Sequence, residues 1–182
     1  MKKVFLSLAI IIIACLSANA QKESSESGGP IKIDIGVAGG IPLGDFGNAT
    51  TFGIGGYAKG GYKIQDNVDL TLTADYKSFS GKNSGPSYGI FTVLAGGSYL
   101  ANGGFHVDAG IGYGSLSVPA QTITVLGQTF TTASSSSGGF AYRAGISYTI
   151  SDALDITANY NGISKNGTTS YIGIGIGYRI LK

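Results

Sequence analysis

The chain has 182 residues, a formal net charge of +2 and only 12% charged side chains, with 31 glycines, 11 tyrosines, a single cysteine and no tryptophan. A lone cysteine excludes a disulfide framework, and so slight a basicity predicts no nucleic-acid partner. No long polar helix pattern appears, so the glycine- and tyrosine-rich chain is read for strands.

Met1-Lys2-Lys3 followed by the apolar run Val4 to Ala14 is a basic and then hydrophobic leader, too short to span a bilayer as a helix. Ala18-Asn19-Ala20 before Gln21 is a small-x-small cleavage site, so residues 1–20 are expected to be a signal peptide cut between Ala20 and Gln21. Ile12-Ile13-Ala14-Cys15 offers a rival parse, a lipoprotein box that would leave Cys15 lipidated; the Ala-x-Ala site is the cleaner match. Removing the leader takes Lys2 and Lys3 with it and leaves equal numbers of basic and acidic residues. Residues 21–30 (QKESSESGGP) are polar and aperiodic and read as a disordered periplasmic lead-in. Residues 31–182 then form one predicted domain.

Eight alternating segments fill that domain, at about Ile31 to Leu43, Phe52 to Ile64, Val68 to Phe79, Tyr88 to Leu100, Gly104 to Leu116, Gly139 to Ile150, Leu154 to Ile163 and Ser170 to Leu181. The last is the clearest. Read with period two, it puts Ile172, Ile174, Ile176, Tyr178 and Ile180 on one face, with Tyr171, Gly173, Gly175, Gly177 and Arg179 on the other. A greasy face opposite a nearly bare one suits a strand with lipid on one side and a crowded interior on the other. The same parity sends Ile33, Ile35 and Val37, Ile54, Leu70 and Leu72, Val107 and Ile111, Ile146 and Ile156 outward. In the fourth segment both parities are apolar, and Phe91, Val93, Ala95 and Tyr99 are assigned to the outside.

Short turn sequences at Gln65-Asp66-Asn67, Ala101-Asn102-Gly103 and Ser151-Asp152-Ala153 alternate with longer connections, among them Gly44 to Thr51, Ser80 to Ser87 and Ser117 to Gly138. This is the asymmetry of an outer-membrane barrel, with the turns and both termini in the periplasm. A weak repeat supports the frame: Tyr62 to Thr71 parallels Tyr148 to Thr157, aligning Asp69 with Asp155.

The charges follow the frame. Lys32, Asp34, Lys59, Lys63, Asp69, Asp75, Lys77, Asp108, Arg143, Asp155 and Arg179 all fall on the non-apolar face, with His106 beside them. A cation facing the bilayer midplane costs about 2–4 kcal/mol, which supplies the reason. In a lumen just wide enough for side chains these groups are expected to form an ion-pair network, with the inward glycines making room for Arg and Lys stems. Two aromatic girdles emerge on the outer face. Tyr62, Tyr99, Phe105, Tyr148 and Tyr178 lie toward the turns, and Phe52, Tyr76, Phe91, Tyr113, Phe140 and Tyr160 toward the loops. Their separation, about 19–23 Å at the usual rise and tilt, matches the apolar band of such barrels.

On this pattern, and on the terminal strand, the chain resembles the small outer membrane protein beta-barrel domain family, of the OmpX-like and OmpA-transmembrane type. The resemblance covers the mature chain from about Ile31. Gly173, Gly175 and Tyr178 fit that family's assembly signal, while Ile180 stands where a second aromatic is usual and Leu181-Lys182 follow instead of a terminal phenylalanine. It implies an all-β fold, an eight-stranded antiparallel up-and-down transmembrane β-barrel in the outer membrane of a Gram-negative-type bacterium. The implied partners are outer-membrane lipid and lipopolysaccharide, and the barrel-assembly machinery.

Chemistry has little to stand on. Some barrels of this size resemble lipid A deacylases or palmitoyltransferases, which need a histidine near the outer rim; His106 lies at the turn end instead and reads as a lumenal polar residue. The Gly-x-Gly runs lie inside strands with no helix after them, so a phosphate loop is excluded. No cluster has metal spacing, so no enzyme activity, cofactor or metal is expected. Gln121-Thr-Ile123-Thr-Val125 and Gln128-Thr-Phe130-Thr-Thr132 alternate around Leu126-Gly127, which predicts that the fifth and sixth strands continue as a projecting hairpin followed by a flexible Ser134 to Ser137 run. Residues 117–138 are therefore the candidate loop for an extracellular protein partner, through Gln121, Ile123, Val125 and Phe130. The leading expectation is a filled barrel with a structural or adhesion-like surface role. The alternative is a narrow porin-like channel for small solutes. A soluble barrel with ligand in its core leaves the girdles and the glycine face unexplained.

Overall fold

In the computed structural model the described residues are 31–83, 85–125, 128–165 and 167–181, so the leader, the lead-in and the cleavage site at Ala20 and Gln21 lie outside them. Within these residues the chain forms β1 (Ile31–Leu43), α1 (Gly44–Ala49), β2 (Thr50–Gln65), β3 (Val68–Gly81), β4 (Tyr88–Leu100), β5 (Phe105–Val118), β6 (Gln121–Val125), β7 (Gln128–Thr132), β8 (Ser135–Ser151), β9 (Leu154–Ser164) and β10 (Thr168–Leu181). Eight of the strands close into an antiparallel barrel in the order β1-β10-β9-β8-β5-β4-β3-β2, and β6 and β7 form a separate two-stranded sheet.

Period-two patterning fixes the pairing, because a one-residue slip would turn every charge to the outside. The seam joins the two ends of the chain in register, from Asp34 opposite Arg179 to Leu43 opposite Ser170. Between the two aromatic bands the wall's outer face is apolar: Val37, Ile54, Ile111, Ile146 and Ile174 are among its most exposed side chains. β4 resolves as expected, with Phe91 outside and Ile90 and Leu94 buried inside. No helix among the described residues is long and apolar enough to cross a membrane, which says nothing against crossing with strands.

Three local readings are corrected. The segment after β1 is not open loop: Gly44–Ala49 is a six-residue helix whose Phe46 is buried. The Ser134 to Ser137 run is not a flexible stretch, because Ser135, Ser136 and Ser137 extend β8 opposite Val118, Ser117 and Leu116. The projecting hairpin is a sheet of its own rather than a continuation of the barrel strands, paired from Gln121 opposite Thr132 to Val125 opposite Gln128.

Candidate functional site: the lumen and the loop end

From the turn end upward, the lumen begins as charge pairs spanning the barrel. Lys32 Nζ lies 2.9 Å from Asp69 Oδ2, and Lys59 Nζ lies 2.7 Å from Asp108 Oδ1. Arg179 bridges two strands, 3.0 Å from Asp34 and 2.6 Å from Asp155. The aligned aspartates of the internal repeat, Asp69 and Asp155, each meet a cation from the seam strands β1 and β10. Ser147 donates to the second oxygen of Asp108 at 2.7 Å. His106 sits between hydroxyls, with Nδ1 3.5 Å from Ser98 Oγ and Nε2 3.3 Å from Thr149 Oγ1. Lys63 stands apart: it reaches 3.2 Å to Asp66 in the adjoining turn, where both side chains meet solvent.

Higher in the barrel the pairs become dry. Asp75 holds Lys77 in a close ion pair and Arg143 at 3.3 Å, and the Asp75 and Lys77 side chains are each only 2% exposed. Arg143 Nε donates to Asn161 Oδ1 at 2.7 Å, and Lys77 Nζ stands 5.3 Å from the Tyr171 ring centroid. Two charges in such a place are held only because each has the other and hydrogen bonds besides.

Above that cluster the lumen is sealed by an apolar core. Phe79, Ile90 and Tyr171 are 0% exposed, joined by Phe46, Leu94, Ala141 and Ile163. Phe79 packs edge-on against Phe46 at 5.0 Å and against Tyr171 at 5.3 Å. Helix α1 supplies Phe46 as the lid of this stack. Its end is pinned by Thr50 Oγ1 donating to Phe46 O at 2.6 Å and Lys82 Nζ donating to Gly47 O at 2.6 Å.

Several inward glycines make room for rings, and at Gly40 the Lys77 stem shares the space with Phe79. A Cβ on Gly36 would lie 2.5 Å from the Tyr57 ring, and one on Gly53 2.5 Å from Phe79. Gly177 is occupied by the Tyr57 hydroxyl, and Gly173 by the Asn159 and Asn161 amides. Below the seal, two adjoining cavities sharing Lys59 and Thr71 leave polar space running toward the turn end. Among the described residues no group of His, Cys, Asp and Glu is arranged to hold a metal.

On the outer wall the girdle residues lie in two bands. At the turn end Phe105 and Tyr148 are register partners with ring centroids 4.6 Å apart, and Tyr62, Tyr99 and Tyr178 face outward. At the loop end Tyr76 faces Phe91 and Tyr113 faces Phe140 across adjacent strands, with Phe52 and Tyr160 also exposed. Tyr142, absent from the predicted band, bridges Phe140 and Tyr160 at 6.3 and 6.2 Å. In the candidate partner loop, Gln121 pairs with Thr132 and the hairpin backbone is formed, while the side chains of Ile123, Val125 and Phe130 lie outside the described set.

A closed eight-strand ladder with a lipid-ready outer face and an ion-paired interior defines an integral outer-membrane barrel. The chain belongs to the outer membrane protein beta-barrel domain family, whose model matches residues 8–179. Among solved structures it is similar to the attachment invasion locus protein Ail of Yersinia pestis, at TM-score 0.61 and 19% identity over 85% of this chain and 100% of that one. It is also similar to the N-terminal β-barrel domain of Pseudomonas aeruginosa OprF, at TM-score 0.59 and 15% identity over 85% of this chain and 100% of that domain. Neisserial surface protein A matches at TM-score 0.51 and 18% identity over 84% of this chain and 99% of that one. No curated protein sequence matches.

Proposed function

We propose that this outer-membrane barrel is closed to solutes, has no enzyme activity, and acts structurally or through surface interactions at its loop end. The observation that carries the reading is the dry aromatic core capping the lumen, in which Phe79, Ile90 and Tyr171 are 0% exposed. A pore needs a continuous wet path, and this core interrupts it. The ion pairs beneath then serve stability by neutralising inward charges that the low-dielectric wall would otherwise penalise. A porin-like channel is favoured only by the cavities below the core, which are lined by Lys59, Asp108, Asp69 and Arg179 among others.

The surface role falls to the hairpin β6–β7. Two strands standing outside the barrel sheet offer backbone edges on which an extended segment of an extracellular protein adds as another strand. Residues 117–138 contain no charged side chain, so backbone pairing, not charge attraction, is the means of capture. The loop end faces outward and both termini face the periplasm, where the barrel-assembly machinery reads β10. The test is proteoliposomes displaying the chain on surfaces coated with candidate extracellular proteins. Wild type adheres, and replacing residues 121–132 by a short Gly-Ser turn abolishes adhesion while mobility in unboiled SDS still reports a folded barrel. Unchanged adhesion of the deletion would contradict the hairpin's role.

A further inference from the structure

The outer wall changes character abruptly just above the loop-end aromatics. Along four adjacent strands, β3, β4, β5 and β8, the outward positions Ser78, Gly89, Ser117 and Ser136 are direct register partners in one transverse row. The row below it carries Tyr76 opposite Phe91 on β3 and β4 and continues as Ser115 and Gly138 on β5 and β8, where Tyr113 opposite Phe140 stands one row lower. Apolar rings give way to hydroxyls and glycine within one outward step on β3 and β4 and within two on β5 and β8, which is where hydrocarbon gives way to headgroups.

Gly89 turns this row into a trough. A Cβ there would lie 2.7 Å from Ser117 Oγ and 3.0 Å from Tyr76 Oη, so both hydroxyls lean over the missing side chain. Ser117 Oγ donates to Gly89 O at 3.2 Å, and Ser136 Oγ lies 2.9 Å from Ser115 Oγ, so the hydroxyl row is held in place. Ser135 and Pro119 wall the trough on the hairpin side, and its cavity volume is about 380 Å³. That is the size of small-molecule sites generally. No charged residue lines it among the described residues.

We propose that this trough binds a neutral sugar unit of an outer-leaflet glycolipid. Hydroxyls both donate and accept, as sugar hydroxyls require, and the half-exposed Tyr76 ring offers an apolar face for the sugar's C–H groups. The lack of cations disfavours a phosphate or sulfated sugar, which would want charge-assisted partners. The height of the trough, directly above the aromatic row, suits a sugar still attached to its lipid. The assignment rests on the loop end facing outward, as proposed above.

The test places the full chain in phospholipid nanodiscs and follows the anisotropy of a fluorescent dihexosyl diacylglycerol. Wild type is expected to bind it saturably. Ser117→Ala with Ser136→Ala, which removes two hydroxyls, is expected to weaken binding about tenfold through two lost hydrogen bonds. Ser164→Val, at the loop end of β9 and away from the trough, should bind as wild type does. No saturable binding, or a double variant within about twofold of wild type by the same hydrogen-bond measure, overturns the site. Equal affinity for the free dihexoside overturns the lipid-linked source. Heat-modifiable mobility of each variant and surface labelling of Lys165→Cys report barrel integrity and loop orientation separately, so their failure is distinguishable from failure of the sugar site.

Discussion

Asp75 is the residue on which the interior depends most. It alone stands between Lys77 and Arg143 in the dry part of the lumen, so Asp75→Asn leaves two cations facing each other without their counter-charge. Breaking a buried pair in this way costs about 3–5 kcal/mol, expected as a fall in the urea midpoint for unfolding from lipid vesicles. Lys32→Met at the turn end, where the lysine side chain is 31% exposed, should cost under about 1 kcal/mol in the same assay. The glycines make a second contrast. Gly53→Ala drives a methyl to 2.5 Å from the immobile Phe79 ring, whereas at Gly61 the nearest atom stands at 3.8 Å. The first is expected to destabilise by about 1–3 kcal/mol and the second by less than about 0.5 kcal/mol. Equal effects would mean that the rings do not use the glycine gaps.

The same residues mark what the sequence made legible. Parity placed the inward charges, because a period-two pattern carries one bit per residue and charge reveals that bit. It also contained Phe79, two and four residues beyond Lys77 and Asp75 on the same face, yet an aromatic near a strand end reads equally as girdle. Parity placed Tyr171 on the inward face, where it is buried, and trusting it over residue type would have placed Phe79 there as well. Phe46 could not, since it lies in the irregular Gly44-Asp45-Phe46-Gly47 stretch where strand periodicity has stopped.

At the scale of elements, β10 was readable in full and the β5-to-β8 connection was not. β10 alternates without exception, and its apolar outer row predicts a graded response to charge. Ile174→Arg, at mid-strand on the lipid face, is expected to cost about 2–4 kcal/mol, and Ile180→Arg, near the turn end, about 0–1 kcal/mol, both measured by the same vesicle unfolding. The connection failed for a physical reason. Serines have weak strand preference and read as linker, but Ser135, Ser136 and Ser137 are drawn into β8 because β5 offers an unpaired edge opposite them. Tertiary pairing overrode local propensity. Helix α1 was missed likewise, being six residues long and held by contacts from Thr50 and Lys82 that no local pattern announces.

As a whole molecule, the barrel falls into three zones along its axis: an ion-paired turn end, a dry charge cluster about Asp75, and an apolar seal closed by α1. Strand count and closure followed from eight alternating segments, whereas the axial zoning followed from packing across the lumen, which brings together residues as far apart as Asp75 and Tyr171. The seal decides whether the barrel conducts, and single-channel recording in a planar bilayer tests it most directly. Wild-type protein, confirmed as folded by its heat-modifiable mobility, is expected to give no resolved openings, while Phe46→Ala with Phe79→Ala gives discrete small conductance steps. Steady conductance of the wild type, unchanged in the double variant but altered by Asp108→Asn or Arg143→Gln, would contradict a sealed lumen and make the barrel a channel.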